Sequence, residues 1–211
     1  YAPTEDGFTA GEGFASVGQL TDAGAAVYLA TGGCADRRMA GTVTGLVTDL
    51  GNVGEIFDVR DEAADLSAQN QAVLDGVADA TANVEPLRVA QVYYEGGTLQ
   101  AIGAGIEYDI LRSAGADTVY TPGQDLFSDF FAATITPESL AAEEPEAIVF
   151  AAFDEAHEAS TRAYLESTFP DSPAVQEGRL IVVSTSDMFP GTLGNITVVR
   201  QIAEQLYPDV F

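Results

Sequence analysis

One segment limits what the rest of the chain can become: Asp61 to Val84, DEAADLSAQNQAVLDGVADATANV, a long stretch of helix-forming residues without proline. Leu66, Val73, Val77 and Val84 recur at steps of seven, four and seven, with Ala63, Asn70, Leu74 and Thr81 beside them, so one apolar stripe runs its whole length. At about 1.5 Å per residue such a helix is ~35 Å long, the width of a small domain. Gly76 lowers helical propensity locally by ~1 kcal/mol relative to alanine and allows a slight bend. Two readings fit: a strut between two α/β halves, or a crossover helix inside a single sheet.

The flanks read as α/β on both sides. Before the segment come a loop over Tyr1 to Phe14, a short helix over Ser16 to Gly24 capped by Ser16, and a short buried strand over Ala25 to Thr31. A loop with Arg37 and Arg38 and an amphipathic helix over Thr42 to Asp58 follow. After it come a strand over Leu87 to Tyr94, a turn at Glu95-Gly96-Gly97, a helix over Ile106 to Ala114 stopped at Gly115, and a strand at Thr118 to Tyr120. An aromatic loop, Asp125 to Phe131, leads to Thr136-Pro137-Glu138, which opens a helix with a hydroxyl at the N-cap, proline at N1 and an acid in the first turn. AIVFAAF over Ala147 to Phe153 is a strand of the kind buried on both faces. Asp154 to Phe169 is helix, Leu180 to Thr185 strand, and Ile196 to Leu206 the closing helix. Strands alternating with helices, mostly without hairpins, predict a parallel sheet covered by helices on both faces.

Charge excludes some partners. The formal net charge is -25, from 33 acidic against 8 basic residues, and every basic residue is arginine. Phosphate contacts need clustered cations, so nucleic acid and anionic membrane surfaces are poor partners. The acids are spread along the chain, as expected of an acidic, lysine-poor proteome. Cys34 is the only cysteine, which rules out an internal disulfide. No run approaches the ~18 apolar residues of a membrane span, and the first residues carry neither a basic n-region nor an apolar h-region.

No catalytic constellation can be assembled. Gly103-Ala104-Gly105 lacks the spacing and lysine of a phosphate loop. His157, the only histidine, lies in the acidic run DEAHEAS and reads as part of a solvated helix face. An acid pair such as Glu95 and Asp154 could still do acid-base work on a two-lobed α/β frame, which keeps an enzyme as the alternative class. What remains are side chains at the carboxyl ends of strands, where open α/β sheets place ligands: Thr31 and the Arg37-Arg38 loop, Tyr94 and Glu95, the Phe127 to Phe131 loop, Phe153 and Asp154, and Ser186, Met188 and Phe189. Aromatics, one methionine and a few polar groups suit the wall of a small-molecule cleft.

In their order, SVGQLTDAGAAVYLA, DLGNVGEIFDVRDEAADL, RVAQVYYEGGTLQAIGAGIEYDILRSAGADTVY, ITPESLAAEEPEAIVFAAF, EGRLIVVSTSDMFPGTLG and the terminal LYPDVF make the chain resemble a family. It is that of the extracytoplasmic substrate-binding proteins of ABC importers, in the class that captures iron-siderophores, haem and cobalamin. The resemblance implies an α/β fold of two lobes with parallel sheets flanked by helices and joined by one long helix. Residues 1–60 would be the remnant of an incomplete amino-terminal lobe, 61–84 the linking helix and 85–211 the carboxyl-terminal lobe.

The resemblance also implies capture without chemistry and without a resident cofactor. An iron chelate is bound between the lobes and delivered to permease subunits, in the periplasm or at the cell surface as a lipoprotein, with any membrane anchor upstream of this chain. The ligand residues implied are Arg37, Arg38, Tyr94, Glu95, Phe130, Phe131, Asp154, Met188 and Phe189, and Glu138 is the implied docking residue for the permease. A ferric siderophore favours arginine in the cleft, haem an axial tyrosine such as Tyr94, and cobalamin the aromatic walls of Phe130, Phe131 and Phe189. The ferric siderophore is the first expectation.

Overall fold

The computed structural model describes residues 1–211, the Glu12 side chain excepted. The long segment forms one unbroken α-helix, Arg60–Thr81. Ala63, Leu66, Asn70, Val73, Leu74, Val77 and Thr81 are buried or half-buried, together with Ser67 and Ala80 on its flanks, so the stripe read from the sequence is the face that packs; Val84 lies just past the end. We label this helix α3. Before it, α1 (Val17–Asp22) and α2 (Gly45–Phe57) stand where the sequence places helices, and α1 starts with a reciprocal capping box between Ser16 and Gln19.

All strands follow α3. They are β1 (Arg88–Glu95), β2 (Thr98–Ile102), β3 (Asp117–Thr118), β4 (Ala132–Thr134), β5 (Ala147–Ala152) and β6 (Leu180–Ser184). The sheet order is β4-β2-β1-β5-β6, with β3 also on β1. β1, β5 and β6 run parallel, as read from their apolar sequences. β2 runs antiparallel to both of its neighbours, β1 and β4, which corrects the expected parallel sheet. The cause is local. Gly96 and Gly97 take φ of +57° and +84°, the left-handed pair that a tight two-residue hairpin requires, and TLQAI returns along the upper half of β1. β3 pairs with the lower half of the same edge.

Helices α4 (Gly105–Ser113) and α8 (Gly194–Leu206) join α3 on one face; α5 (Pro137–Ala142), α6 (Glu155–Thr168) and α7 (Pro173–Gln176) cover the other. Strand alternation divides the core accordingly. Val89, Val149, Ile181 and Val183 face α3, α4 and α8, while Ala90, Val92, Ile148 and Phe150 face α5 and α6. Tyr207 fastens the end of the first layer: its hydroxyl accepts from the Leu87 amide at 3.1 Å and donates to the Gly115 carbonyl at 2.8 Å.

The expected strand over Ala25 to Thr31 is not formed; Leu29 makes a single parallel bridge to Ala2. Order there comes instead from Asp49 of α2, 2% exposed, whose carboxylate accepts from the Tyr28 hydroxyl at 2.8 Å and from the Thr31 amide and hydroxyl at 2.9 and 2.8 Å. Replacing Asp49 by alanine leaves buried donors unpaired, an effect of ~2 kcal/mol. The D49A protein is expected to exchange its 25–40 amides faster while the β1, β5 and β6 amides keep their protection, as hydrogen exchange would measure.

Seven of the eight arginines are ion-paired, and among the described residues Arg37 is not. Most acids are therefore left to repel one another. Raising NaCl from ~0.1 to ~1 M shortens the screening length from about 10 to 3 Å, so the melting temperature is expected to climb across that range, read by calorimetry. A flat or falling curve would contradict it.

Candidate functional site

The carboxyl ends of β1, β5 and β6 open onto a cavity of about 240 Å³. Its amino-terminal wall is Arg38, which starts a short 3-10 turn, Arg38–Ala40. The Arg38 guanidinium forms a two-pronged pair with Glu107 in the first turn of α4, with Nη1 donating to Oε2 at 2.9 Å and Nη2 to Oε1. Both side chains are nearly buried, 13% and 10% exposed. Gly105 makes the approach feasible: its φ is +74°, and a Cβ there would stand 2.8 Å from the Arg38 carbonyl oxygen. Burial pushes the Glu107 carboxyl up, against the pull of the Arg38 hydrogen bonds and charge. The pair closes the charge of the wall on itself.

Aromatic rings complete the enclosure. The Arg38 guanidinium lies 4.0 Å from the Phe131 ring centroid, and Phe130 tilts against Phe131 at 4.4 Å. Opposite stand Met188 and Phe189, held by the buried Asn195 of α8, whose amide donates to the carbonyls of Asp187 at 2.6 Å and Phe189 at 3.0 Å. The strands supply neutral polar groups, Gln91 and Tyr93 from β1 and Gln100 from β2, with Thr185 beyond β6. A second hollow of about 380 Å³ shares Arg38, Phe130, Phe131 and Phe189 and is edged by Glu5, Asp6 and Asp129. Both volumes lie in or near the range of small-molecule sites.

The structure thus brings together Arg38, Phe130, Phe131, Met188 and Phe189. Arg37 is exposed and away from the cavity. Tyr94, Glu95 and Asp154 line a separate shallow hollow with His157 and Phe153. Tyr94 turns toward α6, where its ring stacks on Tyr164 at 3.8 Å, so it is Tyr93, one residue away and on the other face, that meets the cavity. The Tyr93 hydroxyl donates to Glu95 at 3.0 Å, and burial together with that carboxylate pushes the phenol up. Asp154 caps α6, accepting from the His157 amide at 2.8 Å.

His157 corrects the expectation of a solvated face. It is 7% exposed, its ring stacks on Phe153 at 4.2 Å, and Nε2 lies 2.7 Å from the Tyr94 carbonyl oxygen. Its helix turns this position inward because Thr161 and Leu165, four and eight residues on, are the other buried positions of α6. Glu138 sits exposed in the first turn of α5, outside any ion pair among the described residues. Among those residues no three His, Cys, Asp or Glu side chains converge as metal ligands. A larger hollow of about 520 Å³ lies at the amino ends of the strands, around Leu87, Arg179 and Pro208, away from these groups.

No protein-family model matches the sequence and no curated protein does. Solved structures do. A periplasmic binding protein from Veillonella parvula superposes with a TM-score of 0.82 at 20% identity, over 96% of this chain and 68% of its own. An ABC-type Fe3+-hydroxamate transport system structure from Saccharomonospora viridis gives 0.72 at 21% identity, over 89% and 64%. A periplasmic heme binding protein from Pseudomonas aeruginosa gives 0.71 at 23% identity, over 92% and 67%. The chain spans about two thirds of the length of each of these neighbours. Helix α3, the mixed sheet and its helical layers are therefore the α/β fold seen in the periplasmic binding proteins of ABC transporters.

Proposed function

We propose that this chain is the solute-binding component of an ABC importer, working outside the cytoplasm, and that it captures a ferric siderophore of neutral or cationic charge. In this reading 61–84 is the rod between an amino-terminal lobe, to which residues 1–60 belong, and the lobe formed by 85–211. The reading is carried by one observation: an aromatic cleft at the strand ends in which Arg38, the one cation among the described residues that line it, is neutralised by Glu107, with Glu5, Asp6 and Asp129 at the rim. Three hydroxamates balance ferric iron to zero charge, so a trihydroxamate chelate enters such a cleft without an unpaired anion. Tris-catecholate chelates are trianions, and haem brings two propionates that need cations the cleft does not offer. The likeness to an Fe3+-hydroxamate system structure supports the same choice. Among the described residues no helix is long and apolar enough to cross a membrane.

The chain's residues bind and orient; they have no bond to break. Phe130, Phe131 and Phe189 clasp the organic shell, Met188 fills the gap behind it, and the Arg38–Glu107 pair keeps the wall rigid. At a hundredfold excess over Kd, a ligand stabilises the protein by about 2.7 kcal/mol, which raises the melting temperature of a chain this size by roughly 5–10 °C. That shift is expected with a ferric trihydroxamate and absent with a ferric tris-catecholate. A Soret shift with haemin and no response to either chelate would replace the assignment by haem capture.

Glu138 is the proposed contact with a permease arginine. An acid in a first helical turn also stabilises its own helix by ~0.3–1 kcal/mol, so stability alone cannot test the role. Glu138→Ala is expected to leave chelate affinity unchanged and to lower uptake in vesicles carrying the cognate permease. Unchanged uptake would remove Glu138 from the docking surface.

A further inference from the structure

Two residues in the cavity lining carry buried side-chain oxygens that bond to nothing among the described residues. Gln91 is 3% exposed, and its Oε1 has no hydrogen-bond partner among the described residues; the buried Oγ1 of Thr185 has none either. Both residues line the same cavity, one from β1 and one just past β6. They come from two elements with different backbones, so a local turn motif does not account for the coincidence. Folding has stripped both atoms of bulk water, and such groups are costly to leave unpaired. No other side chain of the lining pairs with them: Phe130, Phe131 and Phe189 have no donor, the Arg38 donors facing Glu107 are spent on it, the Tyr93 hydroxyl donates to Glu95, and the Gln100 amide reaches neither atom.

We propose that Gln91 and Thr185 turn these oxygens into the cavity when it fills, giving up no hydrogen bond in doing so, and together select the occupant by its hydrogen-bond donors, Gln91 through its carbonyl oxygen accepting an amide N–H of the ligand and Thr185 through its hydroxyl meeting an adjacent polar atom. This rests on the solute-capture reading above and narrows it to chelates whose chain carries secondary amides beside the hydroxamates. An amide-bearing chelate pairs these oxygens with its N–H groups while its methylene runs pack on the phenylalanines. A chelate of the same charge and size without N–H donors buries the Gln91 oxygen unpaired. Sites built to hydrogen-bond a ligand reject analogues lacking the donor more strongly than apolar sites reject a missing methylene.

The test uses the full chain and two ferric linear trihydroxamates of equal charge, one with secondary amides and one with those amides N-methylated. The unaltered protein is expected to bind the secondary-amide chelate about tenfold tighter, equivalent to ~1.4 kcal/mol. Gln91→Leu and Thr185→Val should each narrow that preference to about twofold or less, chiefly by weakening the secondary-amide chelate. Both variants should melt at or above the unaltered protein, because each removes an unpartnered polar atom from the interior. Equal binding of the two chelates by the unaltered protein, or a preference that survives both substitutions, overturns the selective role of the two residues and leaves chelate capture standing. A Gln91→Leu protein that melts well below its parent shows the amide serving the fold and overturns the role as well. Binding of neither chelate overturns capture of hydroxamates and this inference with it.

Discussion

The Arg38–Glu107 pair is the contact on which the site depends. It joins the loop before α2 to the first turn of α4, and so ties the amino-terminal segment to the sheet across the mouth of the cavity. A buried ion pair gives little net stability over an apolar pair of the same size, but losing one member leaves an uncompensated charge worth ~3–5 kcal/mol. Such a pair fixes position more than it adds stability. Here the fixed position carries Phe131 with it, because the guanidinium is clamped between a carboxylate and a phenyl ring. A second bond, the Val43 amide donating to Asp109 at 2.8 Å, repeats the tie two residues further along α4.

The cleft's composition follows from the sheet's construction. Parallel β1, β5 and β6 send their carboxyl ends the same way, and the loops that leave them are free of ladder hydrogen bonds. The glycine hairpin then sends β2 back beside β1, and β2 in turn pairs with β4, whose first residue follows Phe130 and Phe131. The aromatic loop is thereby held at the rim by an antiparallel ladder instead of a crossover helix. Gly103 serves the same loop: a Cβ there would run into the ring of Phe127, which is buried beneath it.

Elements with long or redundant patterns were legible in the sequence, and those specified by one or two residues were not. The α3 stripe is set by many apolar positions, and Thr136-Pro137-Glu138 by three coinciding preferences; both stand as read, with the Thr136 hydroxyl accepting from the Ser139 amide at 3.2 Å. TLQAI has five residues and AAT three, so β2 exists because β1 offers an edge, and β4 because β2 then offers the next. The rim aromatics and Met188 were named because open α/β sheets place ligands at strand ends, and they do share one cavity; Arg38 joins them although the strand expected before it is not formed. Tyr93 was passed over for Tyr94 because a single step along a strand exchanges faces, and terminal register is invisible before pairing is known. Gln91 read as an ordinary strand residue, and His157 as a surface one, because burial of a lone polar side chain depends on neighbours distant in sequence.

Tyr93 also has an optical consequence. The chain has eight tyrosines and no tryptophan, so its ultraviolet emission is tyrosine emission alone. Of those eight rings, the one on the cavity wall belongs to Tyr93, and none of the others borders either hollow beside Arg38. An occupant that absorbs near-ultraviolet light, as coloured metal chelates do, draws energy from that ring before the rest. The protein thus holds a built-in fluorophore against its cleft, and filling the cleft dims it without any attached dye.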